Sequence, residues 1–257
     1  MRTRLSFKGK LKTKMSPRST SSPEPDLHAA FRMGDVQARR HTHTDFSVAV
    51  VSDRASWLNG FIPKLIAEFL GRGLGVRWMH TPADLLEETI VFYLGCGQLV
   101  PGEVLARHRH NLVVHESDLP KGRGWSPLSW QILEGRNEVP ITLFEAWESV
   151  DSGPVYLQKT MSFTGHELVD ELRAQQGALT LQLCLEFVDR YPEPVQVARE
   201  QEGEPTFYPK RGPQDSELDP DKTIREQFNL LRVVDNERYP AWFELEGQRY
   251  VVKVEKQ

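Results

Sequence analysis

Short apolar runs alternate with helical segments between residues 46 and 94, and this alternation most restricts how the chain can fold. The runs 46–51, 76–79 and 90–94 have the length and β-branched content of buried strands. A helix is predicted over 57–70, where apolar residues recur at helical spacing after the N-cap Ser56. Strand, helix and strand repeated in this way predict an α/β fold with a doubly wound, mostly parallel sheet.

The same patterns continue to the end of the chain. Further strands are predicted at 112–114, 141–144 and 155–163, and helices at 82–87, 100–107, 127–134 and 166–190. After Pro192 a small α+β module is predicted, with a helix at 224–233 and a hairpin of 241–245 and 250–254 around Glu246-Gly247. We therefore expect one domain over residues 45–191 and a smaller C-terminal module over residues 192–257.

The N-terminal 44 residues differ in composition from the rest. They hold ten Lys and Arg against three acidic residues, a balance of +7, so the remaining 22 basic and 33 acidic residues carry −11. Being rich in Ser and Pro without periodicity, residues 1–44 are predicted to be disordered or an upstream translation-start artefact. The acidic remainder argues against an extended nucleic-acid surface.

Several classes of protein are disfavoured by the composition. No apolar run reaches the length of a membrane span, and the basic N-terminus lacks the apolar segment of a secretory signal. The two cysteines, Cys96 and Cys184, lie far apart and lack the spacing of metal ligands. We expect a cytoplasmic protein without a metal site and without membrane contact.

A histidine and several carboxylates follow two successive predicted strands. His115 comes directly after the strand 112–114, and Glu145, Glu148 and Asp151 follow the strand 141–144. Ligands of open α/β sheets bind outside the carboxyl ends of the strands. If a crossover helix makes these strands parallel, their ends lie side by side and give a histidine–carboxylate acid/base pair.

The segment from His115 to Gly153 resembles the folate-dependent formyltransferases, a family that includes methionyl-tRNA, glycinamide ribonucleotide and nucleotide-sugar formyltransferases. The matching positions are His115, Ser117, Leu119, Pro120, Arg123, Gly124, Pro127, Gly135, Thr142, Asp151 and Gly153. The family keeps an Asn-x-His-x-Ser motif, but Val113 occupies the asparagine position here. The asparagine amide helps to hold the formyl oxygen, and valine cannot donate that hydrogen bond.

The resemblance implies a Rossmann-like formyltransferase fold and transfer of a formyl group from 10-formyltetrahydrofolate to a primary amine. The stretches VVHESDLPKGRGWSPL and FNLLRVVDNERYPA look most like the branch that acts on pseudaminic-acid-type amino sugars of surface glycans. The acceptor implied is thus an amino sugar, which we expect to be linked to a nucleotide. No metal is required.

Roles for individual residues follow from the resemblance and from their positions. His115 is expected to stabilise the oxyanion and relay a proton, and Asp151 to orient or charge His115. The residues expected at the folate are Gly95, Gly97, Leu143, Glu145 and Glu148. The residues expected at the acceptor are Ser117, Lys121, Arg123, Trp125, Tyr208, Arg211 and Arg232. The resemblance thus implies that residues 45–191 are the catalytic domain and that residues 192–257 are an acceptor-binding module.

Three other functions stay open from the sequence. A methionyl-tRNA formyltransferase-like enzyme is disfavoured by the acidic residues between 215 and 221, and a formyltetrahydrofolate hydrolase by the basic and aromatic C-terminal module. Val113 motivates a non-enzymatic alternative, a degenerate folate-binding module, although His115 and Asp151 are both present. A homo-oligomer is also left open.

Overall fold

The computed structural model describes residues 46–257, so the prediction for the N-terminal extension lies outside the described residues. The central sheet consists of β1 (Ser47–Val51), β2 (Gly75–Met79), β3 (Ile90–Tyr93), β4 (His110–His115), β6 (Glu138–Glu145) and β7 (Val155–Ser162). Two short strands, β5 (Arg123–Gly124) and β8 (Phe207–Tyr208), and the hairpin of β9 (Ala241–Leu245) and β10 (Gln248–Val252) complete the strands. The helices are α1 (Ile62–Gly71), α2 (Gly102–Leu105), α3 (Pro127–Leu133), α4 (Val169–Arg190), α5 (Glu193–Gln196) and α6 (Phe228–Val233).

The six-stranded sheet is mixed and mostly parallel, with the order β2-β1-β3-β4-β6-β7. The first four strands are parallel to one another. β6 is antiparallel to both of its neighbours, β4 and β7. The predicted α/β fold class is confirmed, and its parallel part brings the carboxyl ends of β1, β3 and β4 to one edge of the sheet.

The expected parallel pairing of β4 with the next long strand is wrong. His115 lies opposite Thr142, and Leu112 lies opposite Glu145, so Glu145 is at the other end of β4 from His115. A parallel connection has to return the chain along the whole length of the strand. The seven-residue helix α3 is only about 10 Å long, which is too short for that return, and the chain enters β6 from the edge at which β4 ended.

Apolar side chains on both faces of the sheet form its cores. On one face, Ile62, Leu65 and Phe69 of α1 pack with residues of α3 and α4 against Val48, Val50, Ile90, Phe92 and Leu112. On the other face, a smaller cluster joins Ala49, Val51, Val91 and Tyr93 to Val104 and Leu105 of α2. Because neighbouring strand residues point to opposite faces, His115 and Glu116 point to different sides of the sheet edge.

Helix α4 begins three residues later than predicted, at Val169 instead of His166. Glu171 accepts a hydrogen bond from the Leu168 backbone N–H and satisfies a donor at the helix start. Just before it, the Glu167 carboxylate accepts from the backbone N–H groups of Thr164, Gly165 and His166. Burial alone would raise the pKa of Glu167, but the bonds from Thr164 and the nearby N–H groups lower it to about 2.

Residues after α4 are joined to the loop that follows β4. β8 pairs with β5 in parallel, which places Arg123 beside Phe207 and Gly124 beside Tyr208. The hairpin of β9 and β10 turns at Glu246-Gly247 as predicted, whereas α6 starts at Phe228, four residues after the expected position. The proposed boundary between residues 191 and 192 stays a prediction. None of the helices in residues 46–257 is long and apolar enough to cross a bilayer.

Candidate active site

His115 ends β4 and points its imidazole to the edge of the sheet. The side chain is buried, and its Nε2 donates to the Gly122 carbonyl at 2.8 Å. The ring also packs edge-on against Phe144. Because Nε2 carries the proton of this bond, Nδ1 holds the lone pair of the neutral ring. A ring held in this way can accept a second proton at Nδ1.

Asp151 reaches His115 through the loop between β6 and β7. Its Oδ2 lies 3.8 Å from the His115 Nε2 and accepts from the Gly124 N–H at 2.8 Å. The backbone of Asp151 is left-handed, with φ of 52°. Gln201 donates to the carbonyls of Asp151 and Gly153, each at 2.8 Å, and thereby fixes the loop. The structure thus brings together the two residues that the sequence proposed as catalytic, by a route that the sequence did not predict.

The position of Gly153 restricts this loop further. A Cβ atom there would meet the Glu145 carbonyl at a distance that real atoms do not adopt. Glu145 N–H in turn bonds the Pro154 carbonyl at 3.0 Å. Only glycine lets the loop return this closely to β6, and this return places Asp151 at the edge of the sheet.

The basic loop after His115 is ordered by the C-terminal segment. Gly122 N–H donates to Thr206 Oγ1 at 2.8 Å, and Gly124 packs against the Tyr208 carbonyl. Both glycines have positive φ, 71° and 100°. Arg123, expected at the acceptor, donates to Gln201 at 2.5 Å. Its guanidinium supports the loop that holds Asp151.

Ser117, Lys121 and Trp125 lie around the same edge. Ser117 is buried, and its hydroxyl has no hydrogen-bond partner within residues 46–257. Lys121 is exposed. Trp125 is 43% exposed, and its ring lies close to Gly97. The structure places these three residues at one edge of the sheet, and their role in binding an acceptor stays a prediction.

Of the residues expected at the folate, the two glycines lie at the expected edge. Gly95 and Gly97 follow β3, the parallel neighbour of β4, and the Gly97 N–H donates to Asp53 at 2.9 Å. Glu148 is exposed and packs against Gly102. The loops after β3 and β6 therefore lie side by side.

The expectation that Leu143 and Glu145 contact the folate is wrong. Leu143 lies two residues after Ile141, so both side chains are on the helix-covered face of β6. Leu143 is therefore fully buried in the main core. Glu145 accepts from the Asn111 N–H and the Tyr156 hydroxyl and lies 3.4 Å from His110. That cluster is at the opposite end of β4 from His115, so neither residue borders the candidate site.

The C-terminal candidates divide into two kinds. The Tyr208 hydroxyl donates to Glu134, and burial together with this carboxylate raises the pKa of Tyr208 to about 12. Arg211 donates to the carbonyls of Val233 and Asp215, and burial lowers its pKa. Arg232, in contrast, is 1% exposed and is enclosed by Glu167, Asn137 and Asn229. The expectation that Arg232 binds substrate is therefore wrong, because its donors are used inside the protein.

Arg232→Met is expected to lower the free energy of unfolding by about 3–5 kcal/mol, since removing one partner of a buried ion pair leaves the other uncompensated. Urea unfolding followed by circular dichroism measures this change. Arg136→Met is the matched control, because Arg136 forms an exposed ion pair with Glu134 and its loss should matter much less. Equal losses in the two variants would contradict the structural role of Arg232.

Glu116 was missed as a site residue by the sequence-based analysis. Its carboxylate accepts from Gln176 of α4 at 2.6 Å and borders a cleft of about 240 Å³. Burial raises the pKa of Glu116, although the nearby His115 and the Gln176 bond oppose that rise. The sequence feature that could have indicated Glu116 is its position between His115 and Ser117, directly after a predicted strand.

Val113 is half-buried and packs against Leu119, Phe144 and Val155. Its side chain occupies an apolar cluster on the same face of β4 as His115.

Within residues 46–257, no group of three or more His, Cys, Asp or Glu side chains is arranged to hold a metal ion.

Comparison with known sequences identifies similar proteins. The family profile described as "Formyl transferase" matches residues 80–184. A methionyl-tRNA formyltransferase from Cutibacterium acnes is 29% identical over 238 residues, which is 90% of this chain and 71% of that protein. One from Thermodesulfovibrio yellowstonii is 28% identical over 137 residues, 53% of this chain and 44% of that protein. The alignments thus span about half the length of several curated relatives.

Solved structures share the fold. The methionyl-tRNA formyltransferase from Clostridium thermocellum superposes with a TM-score of 0.68 at 20% identity, covering 79% of this chain and 90% of that one. A sugar N-formyltransferase from Shewanella sp. has a TM-score of 0.60 at 17% identity, covering 82% and 98%. HypX from Aquifex aeolicus in complex with tetrahydrofolic acid has a TM-score of 0.63 at 19% identity, covering 81% and 37%. The protein therefore has the α/β formyltransferase fold, and its residues 80–184 are similar to the formyl transferase family.

Proposed function

We propose that the protein transfers a formyl group from 10-formyltetrahydrofolate to the primary amine of a small amino sugar. The observation that carries this proposal is the His115–Asp151 pair, with 3.8 Å between Nε2 and Oδ2, at the carboxyl edge of the parallel strands. The fold and the match of residues 80–184 to formyl transferases support formyl transfer as the reaction. The catalytic roles of both residues are part of the proposal.

When bound, 10-formyltetrahydrofolate would supply the formyl group: a bond from the acceptor nitrogen to the formyl carbon replaces the bond from that carbon to N10, and the one proton that the amine loses balances the one that N10 gains in tetrahydrofolate. His115 can hold that proton at Nδ1 while its Nε2–H stays bonded to the Gly122 carbonyl. Asp151 stabilises the resulting imidazolium as a nearby negative charge. The Gly124 N–H fixes the carboxylate that does this. Once Nδ1 has taken the proton, His115 can also donate a hydrogen bond to the developing oxyanion, a role that Val113 cannot take over from the family asparagine.

The residues at this edge fit a folate co-substrate. The loops after β3 and β6 touch through Gly102 and Glu148. They expose three large apolar side chains, those of Leu99, Trp147 and Val150. A flat heteroaromatic ring can cover such side chains, and the turn with Gly95 and Gly97 permits close approach of its edge to the backbone. We assign the folate to these two loops.

A small acceptor is supported by charge and by the sugar N-formyltransferase from Shewanella sp. among the structures that share the fold. Residues 45–257 carry a net charge of −11, which repels the phosphate backbone of tRNA. Among amino sugars, pseudaminic-acid-type sugars of surface glycans are the acceptors proposed from the sequence resemblance.

The free thiols of Cys96 and Cys184 support a cytoplasmic location.

A mass-spectrometric assay tests the proposed function. The full chain is offered 10-formyltetrahydrofolate with UDP-linked amino sugars, unlinked amino sugars and methionyl-tRNA in separate reactions. A gain of one CO on an amino sugar and none on tRNA is the expected result. Formylated tRNA would favour the methionyl-tRNA alternative, and folate turnover without formylated amine would identify a hydrolase. Folate binding without any turnover would indicate a degenerate binding module.

A further inference from the structure

A cleft of about 240 Å³ lies on the helix-covered side of the sheet edge, between α3, α4 and the C-terminal segment. Neither His115 nor Asp151 lines this cleft, but two of its lining residues connect it to their edge of the sheet. Glu116 directly follows His115, and Trp125 lies close to Gly97. Its aromatic lining residues are Trp57, Trp125 and Tyr239, and its charged ones are Glu116, Arg173, Lys210, Arg211 and Asp235. This volume suits a single ring and is below the usual range for drug-sized ligands.

The charges that line the cleft are only partly paired. Arg173 and Asp235 form an ion pair at 2.8 Å and neutralise each other. Glu116 accepts from the neutral amide of Gln176 and from its own backbone N–H. Within residues 46–257, neither Lys210 nor Arg211 forms an ion pair, although the negative charge of Asp215 acts on Arg211. The cleft therefore offers one acid and two cations that form no ion pair in the described part of the chain.

These unpaired groups differ in depth. Glu116 is enclosed under α4, and it lies one residue after His115 along the chain. Lys210 is exposed, and its ammonium lies 4.7 Å from the centre of the Trp125 ring. Arg211 is half-buried, and its Nε is buried with no hydrogen-bond partner in the described part of the chain. The acid thus faces the interior of the cleft, whereas Lys210 lies at its solvent side.

We propose that this cleft selects the acceptor and that its ligand is a single ring carrying both an ammonium group and a separate anionic group, a phosphate or a carboxylate. Glu116 receives the ammonium, because a carboxylate with only neutral hydrogen-bond partners has lone pairs left for a charged donor. Lys210 receives the anion, the positive charge of Arg211 adds to the attraction, and Trp125 packs against the ring. The proposal rests on the proposed function, since it takes the ligand of this cleft to be the formyl acceptor.

Direct binding without any formyl donor tests this inference. Isothermal titration of the full chain uses four probes, namely glucosamine, glucose 6-phosphate, glucosamine 6-phosphate and muramic acid, which carries an amine and a carboxylate. Glucosamine 6-phosphate or muramic acid is expected to bind at least about tenfold more tightly than glucosamine or glucose 6-phosphate. Comparison of the two doubly charged probes distinguishes phosphate from carboxylate as the preferred anion.

Two variants assign the charges to residues. Glu116→Gln should remove the preference for glucosamine 6-phosphate over glucose 6-phosphate, and Lys210→Gln should reduce its preference over glucosamine. Lys64→Gln, an exposed lysine on α1 outside the cleft, is the matched control and should bind as the wild type does. Thermal unfolding of each variant confirms that it is folded.

Equal affinity for all four probes, or no binding of any of them, overturns the inference. Affinities that are the same in the wild type and in Glu116→Gln do so as well. Because binding is measured without folate, failure of formyl transfer in the mass-spectrometric assay leaves these affinities unchanged. The two proposals therefore fail independently.

Discussion

His115→Ala is expected to lower kcat for formyl transfer by about 10²–10⁴-fold, the usual contribution of a general acid–base group. In the wild type, Nδ1 holds the lone pair that can take the proton of the amine, and Asp151 lies 3.8 Å from Nε2 to stabilise the charged ring. Alanine removes the proton acceptor and the oxyanion donor together. Steady-state kinetics with the acceptor identified by mass spectrometry measures the loss.

Because His115 is buried, the alanine variant removes packing as well as chemistry. His115→Gln separates the two, since the glutamine amide can donate to the Gly122 carbonyl but cannot hold a proton. We expect His115→Gln to melt close to the wild type and to be as inactive as His115→Ala. His166→Ala, at an exposed histidine before α4, is the matched control with unchanged kcat. A His115→Gln enzyme with more than half of the wild-type kcat would exclude His115 as the proton acceptor.

The strands and the position of His115 could be predicted because they depend on local patterns. β-branched runs specify β1, β3 and β4, and the helical spacing of Leu65, Ile66 and Phe69 specifies α1. A histidine that ends a buried strand of a parallel sheet lies at the ligand edge for the same reason. The direction of β6 is not local, because it depends on whether the connection through α3 is long enough to return along β4.

Side-chain roles were less predictable than strand positions. Leu143 lies two residues after Ile141 and therefore faces the same core. The period of two along a strand could have indicated this. Arg232 and Arg211 are both arginines in the C-terminal segment, yet one is enclosed by Glu167 and the other borders the cleft. Only tertiary contacts distinguish them. Glu116 was overlooked since a carboxylate next to a histidine has no spacing signal of its own, and its enclosure depends on α4, sixty residues away.

Asp151→Asn is expected to lower kcat by about 10²-fold or more, because it removes the charge that stabilises a protonated His115. The substitution is chosen to keep the loop. Asparagine tolerates the left-handed backbone at φ of 52°, and its amide oxygen can still accept from the Gly124 N–H. Asp118→Asn is the matched control, since Asp118 is an exposed carboxylate held by Gln158, and its kcat should stay at the wild-type value.

Gln201→Ala tests the alternative that Asp151 acts only by ordering the loop. This variant removes both bonds to the carbonyls of Asp151 and Gly153 but keeps the carboxylate. If charge dominates, Asp151→Asn loses far more activity than Gln201→Ala, although Gln201→Ala loosens the loop more. If the order is reversed, with Asp151→Asn within threefold of the wild type, Asp151 positions the Gly124 backbone and His115 works without its charge. The ratio of the two kcat values therefore measures how much of the site depends on electrostatics and how much on loop geometry.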